Sequence, residues 1–423
     1  MKAAILAAGE GSRLQPLTST RPKHLIKIAG KPILEHCLSA VKKAGIDEVI
    51  IVVYYMSNAI RDYFRDGKNF GVKISYAEQE AILGTGNAVS VVEPHVDDDF
   101  LLVNGDVLFT AKTLKSVIEL HQSDKPSATM VVVPVERPEA YGIVELENGK
   151  YVKRIVEKPG KEEAPSNLVN AGIYVFSKEI FAKIKQTCPT PRGEYEIPDA
   201  LTLLIDEKRP VLAFKTASRD WMDIGKPWDL LEANRWILNG MKHKPSGIIE
   251  EGAHLIGPVT VAETARIRSG AYVEGPAFID AEADIGPNCY IRPCTSVGRK
   301  VRIGNACEIK NSIIMDNVHI GHLSYVGDSI IGEHGNLGAG TITANYRFDA
   351  AAIKMIVKDR LVDTGRKKLG AVIGDNVKTG INTLLMPGVK IGNSSWIGPN
   401  LTVHRDIPAN SKIFLKQETE KMV

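Results

Sequence analysis

No stretch of this chain approaches eighteen consecutive apolar residues, so no segment reads as a membrane span. Cysteine is scarce: there are five, an odd number, and none at the Cys-x-x-Cys spacing of a zinc ribbon or redox pair. That argues against a disulfide- or zinc-stapled scaffold and leads to the expectation of a reduced, cytoplasmic protein. Excess charge is missing as well, since 53 basic and 50 acidic residues leave a formal net charge of +3. Such a balance leaves no electrostatic footprint for DNA or RNA, and no nucleic-acid partner is expected. The apolar opening from Met1 to Ala8 is short and runs straight into a glycine-rich loop, which reads as a first strand and not as a signal peptide. What is left is the composition of a soluble globular chain, long enough at 423 residues for two or three domains.

In place of these features the sequence carries a six-residue clock. From Ile249 to Ile309 every sixth residue is Ile, Leu or Val, and the slot two positions earlier is usually small, as at Ala265, Ala271, Ala277, Ala283, Cys289 and Cys307. Neither a helical period nor a strand alternation produces that pattern. A hexad of this kind makes one short strand and one turn, and three hexads close a triangular coil with the aliphatic residues inside, so residues 243–423 read as a parallel β-helix. Residues eighteen apart then share an edge, about 4.8 Å from each other. Cys289 and Cys307 fall in the inward slot and read as core, not as metal ligands. Gly286, Gly298 and Gly304, each just after an aliphatic anchor, read as tight corners. Arg292 and Lys310 take the same slot eighteen residues apart, which offers a phosphate two cations on one edge; two solvated corner residues is the alternative. After Ile309 the register shortens by one through Ile314, Ile320 and Val326, then stops, and it resumes at Ile373.

The first 242 residues alternate apolar strands near 3–7, 49–53, 100–103 and 128–133 with amphipathic helices near 33–44, 87–92 and 114–121. The polar connector 239–247 sets the boundary, giving domains 1–242 and 243–423. The expected N-terminal fold is α/β, a Rossmann-like, mostly parallel sheet with ligands at the carboxyl ends of its strands. After the first strand come Gly9 and Gly11, then Arg13 and Lys23. Glycines let backbone N–H groups approach phosphate oxygens, and the third glycine of a dinucleotide fingerprint is absent. Two nearby cations suit a nucleoside triphosphate better than a dinucleotide.

The run from Leu6 to Lys23, with its Arg21-Pro22-Lys23, resembles the signature of sugar-1-phosphate nucleotidylyltransferases. The likeness extends through Gln79 with Leu83-Gly84-Thr85-Gly86, Asn104-Gly105-Asp106, Tyr141-Gly142, Glu157-Lys158-Pro159, Asn170-Ala171-Gly172 and Trp221-Met222-Asp223. It implies catalytic roles for Arg13 and Lys23, and nucleotide contacts from Leu6, Ala8, Gly9, Gly11, Gln79, Gly84 and Thr85. Gly142, Glu157, Lys158 and Asn170 would then line the sugar-phosphate pocket, and Asp106 and Asp223 would hold Mg2+. Two carboxylates are enough for one such ion when water and phosphate oxygens complete its octahedron.

In the second half, Gly321-His322 to Asp328 and Gly335-Asn336 to Tyr346 resemble the acetyltransferase domain of the bifunctional N-acetylglucosamine-1-phosphate uridylyltransferase/glucosamine-1-phosphate acetyltransferase family. The resemblance implies a left-handed β-helix, His322 as general base, and substrate and acetyl-CoA contacts from Arg292, Lys310, Tyr325, Asn336, Ala339, Asn345 and Tyr346. Imidazole suits the part, because its unperturbed pKa near 6.5 lets it take a proton from an amine at neutral pH. It also implies a homotrimer, with UTP or dTTP, sugar 1-phosphates and acetyl-CoA as small-molecule partners. The segment from Arg347 to Lys368 departs from the family's shorter loop, and Lys354, Lys358 and Lys367 are open alternatives for its lysine. Other readings are a single-activity glucose-1-phosphate thymidylyl- or uridylyltransferase whose solenoid only oligomerises or regulates, and a nucleotide-sugar sensor without turnover.

Overall fold

A computed structural model describes residues 1–157, 159–160 and 164–420. Two compact units emerge: one comprises Met1–Glu10, Pro22–Leu25 and Pro32–Ile224, and the other Gly11–Arg21, Ile26–Lys31 and the chain from Gly225 onward. Among the described residues no helix is long and apolar enough to cross a membrane.

The first unit is built on one sheet, ordered Lys73–Glu78, Glu48–Val53, Lys2–Leu6, Phe100–Asn104, Leu168–Phe176, Ala128–Pro134, Val211–Lys215, Tyr151–Glu157, Gly142–Glu147. The first four strands run parallel, linked by helices that include Ile33–Lys43 and Ser57–Phe64. Ala3, Ile5, Ile51 and Val103 feed one face and Ala4, Ile50, Val52 and Leu102 the other, so both faces are covered and the strands are apolar throughout. Helix Ile33–Lys43 docks through Leu34, Cys37, Leu38 and Val41, one stripe of a 3.6-residue period.

The sheet is mixed, which corrects the expectation of a mostly parallel one. Leu168–Phe176 inserts antiparallel between Phe100–Asn104 and Ala128–Pro134. Gly142–Glu147 and Tyr151–Glu157 form a hairpin whose turn holds Asn148 at φ 52° and Gly149 at φ 69°. A connection that short admits only antiparallel pairing, whereas parallel strands need a crossover helix.

In the second unit the described strands from Lys244 onward, apart from one antiparallel hairpin, form three parallel sheets, each climbing one coil at a time. The register is eighteen residues where the clock is regular, as in Ile267↔Ile285 and Ile291↔Ile309. It is seventeen at Ile309↔Val326, forty-two at Ile331↔Ile373, and eighteen again at Ile373↔Ile391. The clock residues from Val261 to Ile309, and their small partners from Val259 to Cys307, are all buried in one continuous column. At ~1.5–3 kcal/mol for each buried large aliphatic, this column is the dominant stabilising term of the stack. Cys289 and Cys307 are part of it, and burial pushes the Cys289 thiol up to about 12.

The corners differ from their sequence reading. Of the three glycines read as corners, Gly286 has a positive φ of 104°, but Gly298 and Gly304 do not; the left-handed residues fall three positions after the anchor, at Asn288, Cys294, Lys300 and Ala306. Those two glycines serve close approach between coils: a Cβ on Gly304 would meet the Gly321 carbonyl oxygen at 1.8 Å. The irregular coils share one edge. The corners after Ile309 and Val326 lose a residue and place Asn311 (φ 45°) and Asp328 (φ 50°) in the left-handed region two residues after the anchor. On the next coil the same edge carries the insertion, which includes the hairpin Lys354–Val357 with Arg360–Asp363.

Candidate active sites

In the first unit the strand Lys2–Leu6 lies beside Phe100–Asn104, with Leu6 opposite Asn104, and the Gly105 N–H donates to the Leu6 carbonyl at 2.9 Å. Ala8 is buried and its carbonyl accepts from Tyr55 N–H. The side chain of Lys23 packs beside Gly9 and forms an ion pair with Asp106. Strand Trp221–Asp223 pairs antiparallel with Val107–Phe109, putting Asp223 opposite Val107, and the Ile224 N–H donates to the Asp106 carbonyl at 3.0 Å. The two carboxylates therefore stand at the same end of one strand pair. Trp221 Nε1 donates to the Ala171 carbonyl at 2.8 Å and fixes that strand. The Asp106 and Asp223 side chains both offer carboxylate oxygens, the donor type Mg2+ takes.

Gln79 is buried, and its Nε2 donates to Asn87 Oδ1 at 2.8 Å. Gly84, at φ 93°, opens helix Thr85–Ser90, and a Cβ there would meet the Tyr195 carbonyl at 2.4 Å. Thr85 Oγ1 accepts from Ile197 N–H at 3.1 Å, so the segment around Tyr195 braces this turn. Gly142 pairs with Glu157 in the hairpin, and Asn170 is close by, its Nδ2 donating to the Tyr174 hydroxyl at 2.6 Å. Lys158 lies outside the described residues. Three residues here escaped the sequence reading, Asn87, Tyr195 and His24, and Asn104 entered it only as part of a motif, without a role. Asn104 Oδ1 and His24 Nδ1 are buried with no hydrogen-bond partner among the described residues. Burial first, then Lys23, lowers the His24 pKa to about 3, so its ring stays neutral beside the lysine.

Gly11 and Arg13 belong to the second unit. Gly11, at φ 67°, precedes the short turn Ser12–Leu14, and its carbonyl accepts from Thr18 Oγ1 at 2.9 Å. Arg13 is exposed, and its charge reaches Asp229, whose carboxylate caps helix Pro227–Asn239 by accepting from Gly225 and Lys226 N–H at 3.1 and 2.7 Å. Burial nevertheless pushes Asp229 up to about 6, against the pull of Lys226, those N–H groups and Arg13. A carboxyl whose folded pKa is raised contributes stability below its ordinary value near 4, and that contribution is lost as pH rises through 6. Thermal melts of Asp229→Asn and the parent at pH 4.5 and 7.5 should therefore show the variant gaining relative stability at the higher pH. An equal difference at both pH values would refute the account.

On the irregular edge of the coil stack, Asp328 is the hub. Its nearly buried carboxylate takes Lys310 Nζ at 3.1 Å, Asn311 Nδ2 at 2.6 Å and Asn345 Nδ2 at 2.5 Å. Asn345 Nδ2 also donates to the Tyr325 hydroxyl at 3.0 Å, and burial raises the Tyr325 pKa. Arg292 pairs with Glu308 at 2.8 Å, one corner slot below Lys310, and its Nε is buried without a partner among the described residues. A cavity of about 480 Å³ opens here, lined by Arg235, Arg292, Lys310, Arg366, Lys367 and Lys368 together with Glu232 and Asp328. Six cations against few carboxylates suit a phosphate. Of the candidate lysines, Lys367 lines the cavity, whereas Lys354 and Lys358 belong to the hairpin. Lys368, which the sequence reading names only as the end of the inserted segment, also lines it and forms a backbone bridge with Tyr346. Asn311 and Arg235 were missed, and Asp328 and Arg366 stood in the quoted segments without a role.

His322 occupies a different edge. It ends strand His319–His322, opposite Asn305 on the coil below. Ile320 pairs with Leu337, so the same step places Ala339 one coil above His322 on that edge. Asn336 is exposed on its strand, and Tyr346 is half exposed. Strand Tyr325–Gly327 separates the two edges, and the six residues from His322 to Asp328 span up to ~20 Å. A single chain does not bring His322 and the cationic cavity together on one edge.

A nucleotidyl transferase family model matches residues 2–240, and a model of the GMPPB C-terminal domain matches 273–386. The "Bifunctional protein GlmU" of Methanococcus maripaludis is 49% identical over 418 residues, 99% of this chain and 98% of that one. That of Methanocaldococcus jannaschii is 44% identical over the same shares. The "Bifunctional sugar-1-phosphate nucleotidylyltransferase/acetyltransferase" of Sulfurisphaera tokodaii is 40% identical over 410 residues, 96% of this chain and 98% of that one. Among solved structures, a UDP-glucose pyrophosphorylase complexed with UDP-glucose is similar at 28% identity and a TM-score of 0.51, covering 56% of this chain and 98% of that one.

Proposed function

Because the chain belongs to the GlmU-type bifunctional sugar-1-phosphate nucleotidylyltransferase/acetyltransferase family, we propose the following division of labour between its residues. The enzyme acetylates glucosamine 1-phosphate from acetyl-CoA and transfers UMP from UTP to the product, giving UDP-N-acetylglucosamine and pyrophosphate. The observation that carries this reading is the pairing of one Lys23–Asp106–Asp223 strand-end cluster with one phosphate-sized cationic cavity, on a chain whose relatives match it end to end.

In nucleotidyl transfer a sugar-phosphate oxygen attacks the α-phosphorus and pyrophosphate leaves; the attacking group is already an anion, so no base is needed. Lys23 and Arg13 supply fixed positive charge where the transition state gathers negative charge. Asp106 and Asp223 are the carboxylates that would hold Mg2+, whose chemistry when bound is to neutralise the phosphate oxygens. The nucleotide contacts are Leu6, Ala8, Gly9, Gly11, Gln79, Gly84 and Thr85, and the sugar-phosphate contacts Gly142, Glu157, Lys158 and Asn170. Asn87 holds the Gln79 amide in one orientation.

In acetyl transfer the substrate amine attacks the thioester carbonyl, His322 accepts the amine proton, and the C–S bond breaks to release CoA. The phosphate lies in the cationic cavity among Arg292, Lys310, Lys367 and Lys368, with Asp328 holding Lys310 and Asn345 in place. Since one chain puts His322 and this cavity on successive edges, we assign the complete site to a homotrimer in which a partner copy completes it, with Tyr325, Asn336, Ala339 and Tyr346 facing substrate and acetyl-CoA. The left-handed winding of the stack, a boundary at 242/243 and a cytoplasmic location belong to the same reading.

The test uses the full chain with Mg2+, glucosamine 1-phosphate, acetyl-CoA and UTP. Both CoA and pyrophosphate should appear, with N-acetylglucosamine 1-phosphate bypassing the need for acetyl-CoA and UTP outperforming dTTP. Pyrophosphate release with no CoA release would overturn the acetyltransferase assignment.

A further inference from the structure

We propose that the coil stack positions the catalytic lysine: Asp375 and Asp316 anchor the chain on either side of Lys23, making Arg21 and Lys27 positioning residues for nucleotidyl transfer. The inference rests on the assignment of Lys23 to that reaction. Segments Gly11–Arg21 and Ile26–Lys31 belong to the same compact unit as the coils, although Pro22–Leu25 between them does not.

The upstream anchor is a nearly dry carboxylate with both oxygens committed. Asp375, its side chain 5% exposed, accepts at Oδ2 from the Thr20 hydroxyl at 2.5 Å and from Arg21 Nη2 at 2.6 Å. Its Oδ1 accepts from Glu333 N–H at 2.7 Å, and the Glu333 carboxylate lies 3.2 Å from the same Arg21 nitrogen. Asn393 extends the anchor: its Oδ1 accepts from Asp375 N–H at 2.7 Å while its Nδ2 donates to the Pro16 carbonyl at 3.2 Å. Downstream, Lys27 Nζ meets Asp316 Oδ2 at 2.5 Å, and the Ala29 N–H donates to Asn234 Oδ1 at 2.8 Å. Gly30, at φ +83°, lies so close to the Phe278 ring that a Cβ would approach it to 2.3 Å.

Such a buried, charge-assisted network is more than a surface loop needs for solubility. By chain continuity it restricts Lys23, which follows Arg21 by two residues and so cannot stray more than ~7 Å from that anchor. A fixed cation stabilises a transition state only if it is in place beforehand, and a misplacement near 1 Å costs roughly 10²-fold. Nothing in the acetyl-transfer chemistry draws on these residues.

The experiment is steady-state kinetics on the full-length protein, measuring pyrophosphate release from UTP and N-acetylglucosamine 1-phosphate, and CoA release from the acetyl reaction. Asp375→Asn should lower kcat for pyrophosphate release roughly 10- to 100-fold, change KM for the sugar phosphate little, and leave CoA release at the parent rate. Arg21→Ala should match it, Arg21→Lys should restore part of the rate, and the double variant Arg21→Ala with Asp375→Asn should be no worse than either alone. Parent-like kcat in Asp375→Asn would defeat the anchor, as would additive effects in the double variant. A parallel fall of both activities with a lowered melting temperature would reduce Asp375 to a structural role and defeat it too. Failure of the parent enzyme to release pyrophosphate would defeat the nucleotidyl-transfer reading instead.

Discussion

His322→Ala should lower CoA release from acetyl-CoA and glucosamine 1-phosphate by ~10²–10⁴-fold while pyrophosphate release from N-acetylglucosamine 1-phosphate stays at the parent rate. The size follows from the step assigned to His322 in the proposed function, removal of the amine proton by a positioned base as the C–N bond forms. The separation of activities follows from how the residue is built in. His322 contributes to its corner through its backbone, since its carbonyl accepts from Ser324 Oγ at 2.8 Å and from Gly340 N–H at 3.3 Å. The side chain is exposed, and Leu323 behind it, at φ 50°, carries the turn. Removing the imidazole therefore deletes chemistry without opening the coil, and the melting temperature should change little. His322→Gln, which keeps hydrogen bonding but cannot accept a proton in this range, should be as inactive as the alanine variant. CoA release at the parent rate in either variant would remove His322 from the mechanism.

The residues that could be found in the sequence were those tied to an exact period. Arg292 and Lys310 were placed together because eighteen residues separate them within the regular clock, and their strands do pair in that register. The role of Asp328 was invisible for the opposite reason. Its importance depends on a corner shortened by one residue, which turns its backbone left-handed and swings a carboxylate toward Lys310 and Asn345; a repeat count records the slip but not where the side chain goes. The two-edge arrangement was open to the same count, because Lys310 follows the anchor Ile309 whereas His322 follows Ile320, two hexads further round a three-hexad coil. Lys368 and Arg366 follow an insertion whose path no period constrains. In the first half, apolar runs located the parallel strands, but Leu168–Phe176 reads much like its neighbours; only the connection leading into it decides that it inserts antiparallel. Asn87 and Tyr195 act by holding Gln79 and Gly84, contacts between distant segments that no local motif announces.

Asp106→Ala should abolish pyrophosphate release, by ~10³-fold or more, while CoA release continues at the parent rate. Two losses combine. The carboxylate is one of the pair at the end of strands Val107–Phe109 and Trp221–Asp223, and removing it takes away one of the two carboxylates proposed to hold the ion. It is also the ion-pair partner of Lys23, so the variant leaves a largely buried ammonium without its counter-charge and free to reorient. The backbone is indifferent to the change, because the Ile224 N–H donates to the Asp106 carbonyl and not to its side chain. Asp106→Asn separates the two effects from simple shape, keeping volume while losing charge, and should be nearly as inactive. Asp223→Asn removes the other carboxylate proposed to hold the ion while Asp106, the ion-pair partner of Lys23, stays in place. It should lose less activity and recover part of it at raised Mg2+, whereas Asp106→Ala should not recover. Equal recovery of both variants would mean that holding Lys23 is no part of what Asp106 does, and loss of CoA release in either would mean that the two activities do not run on separate residues.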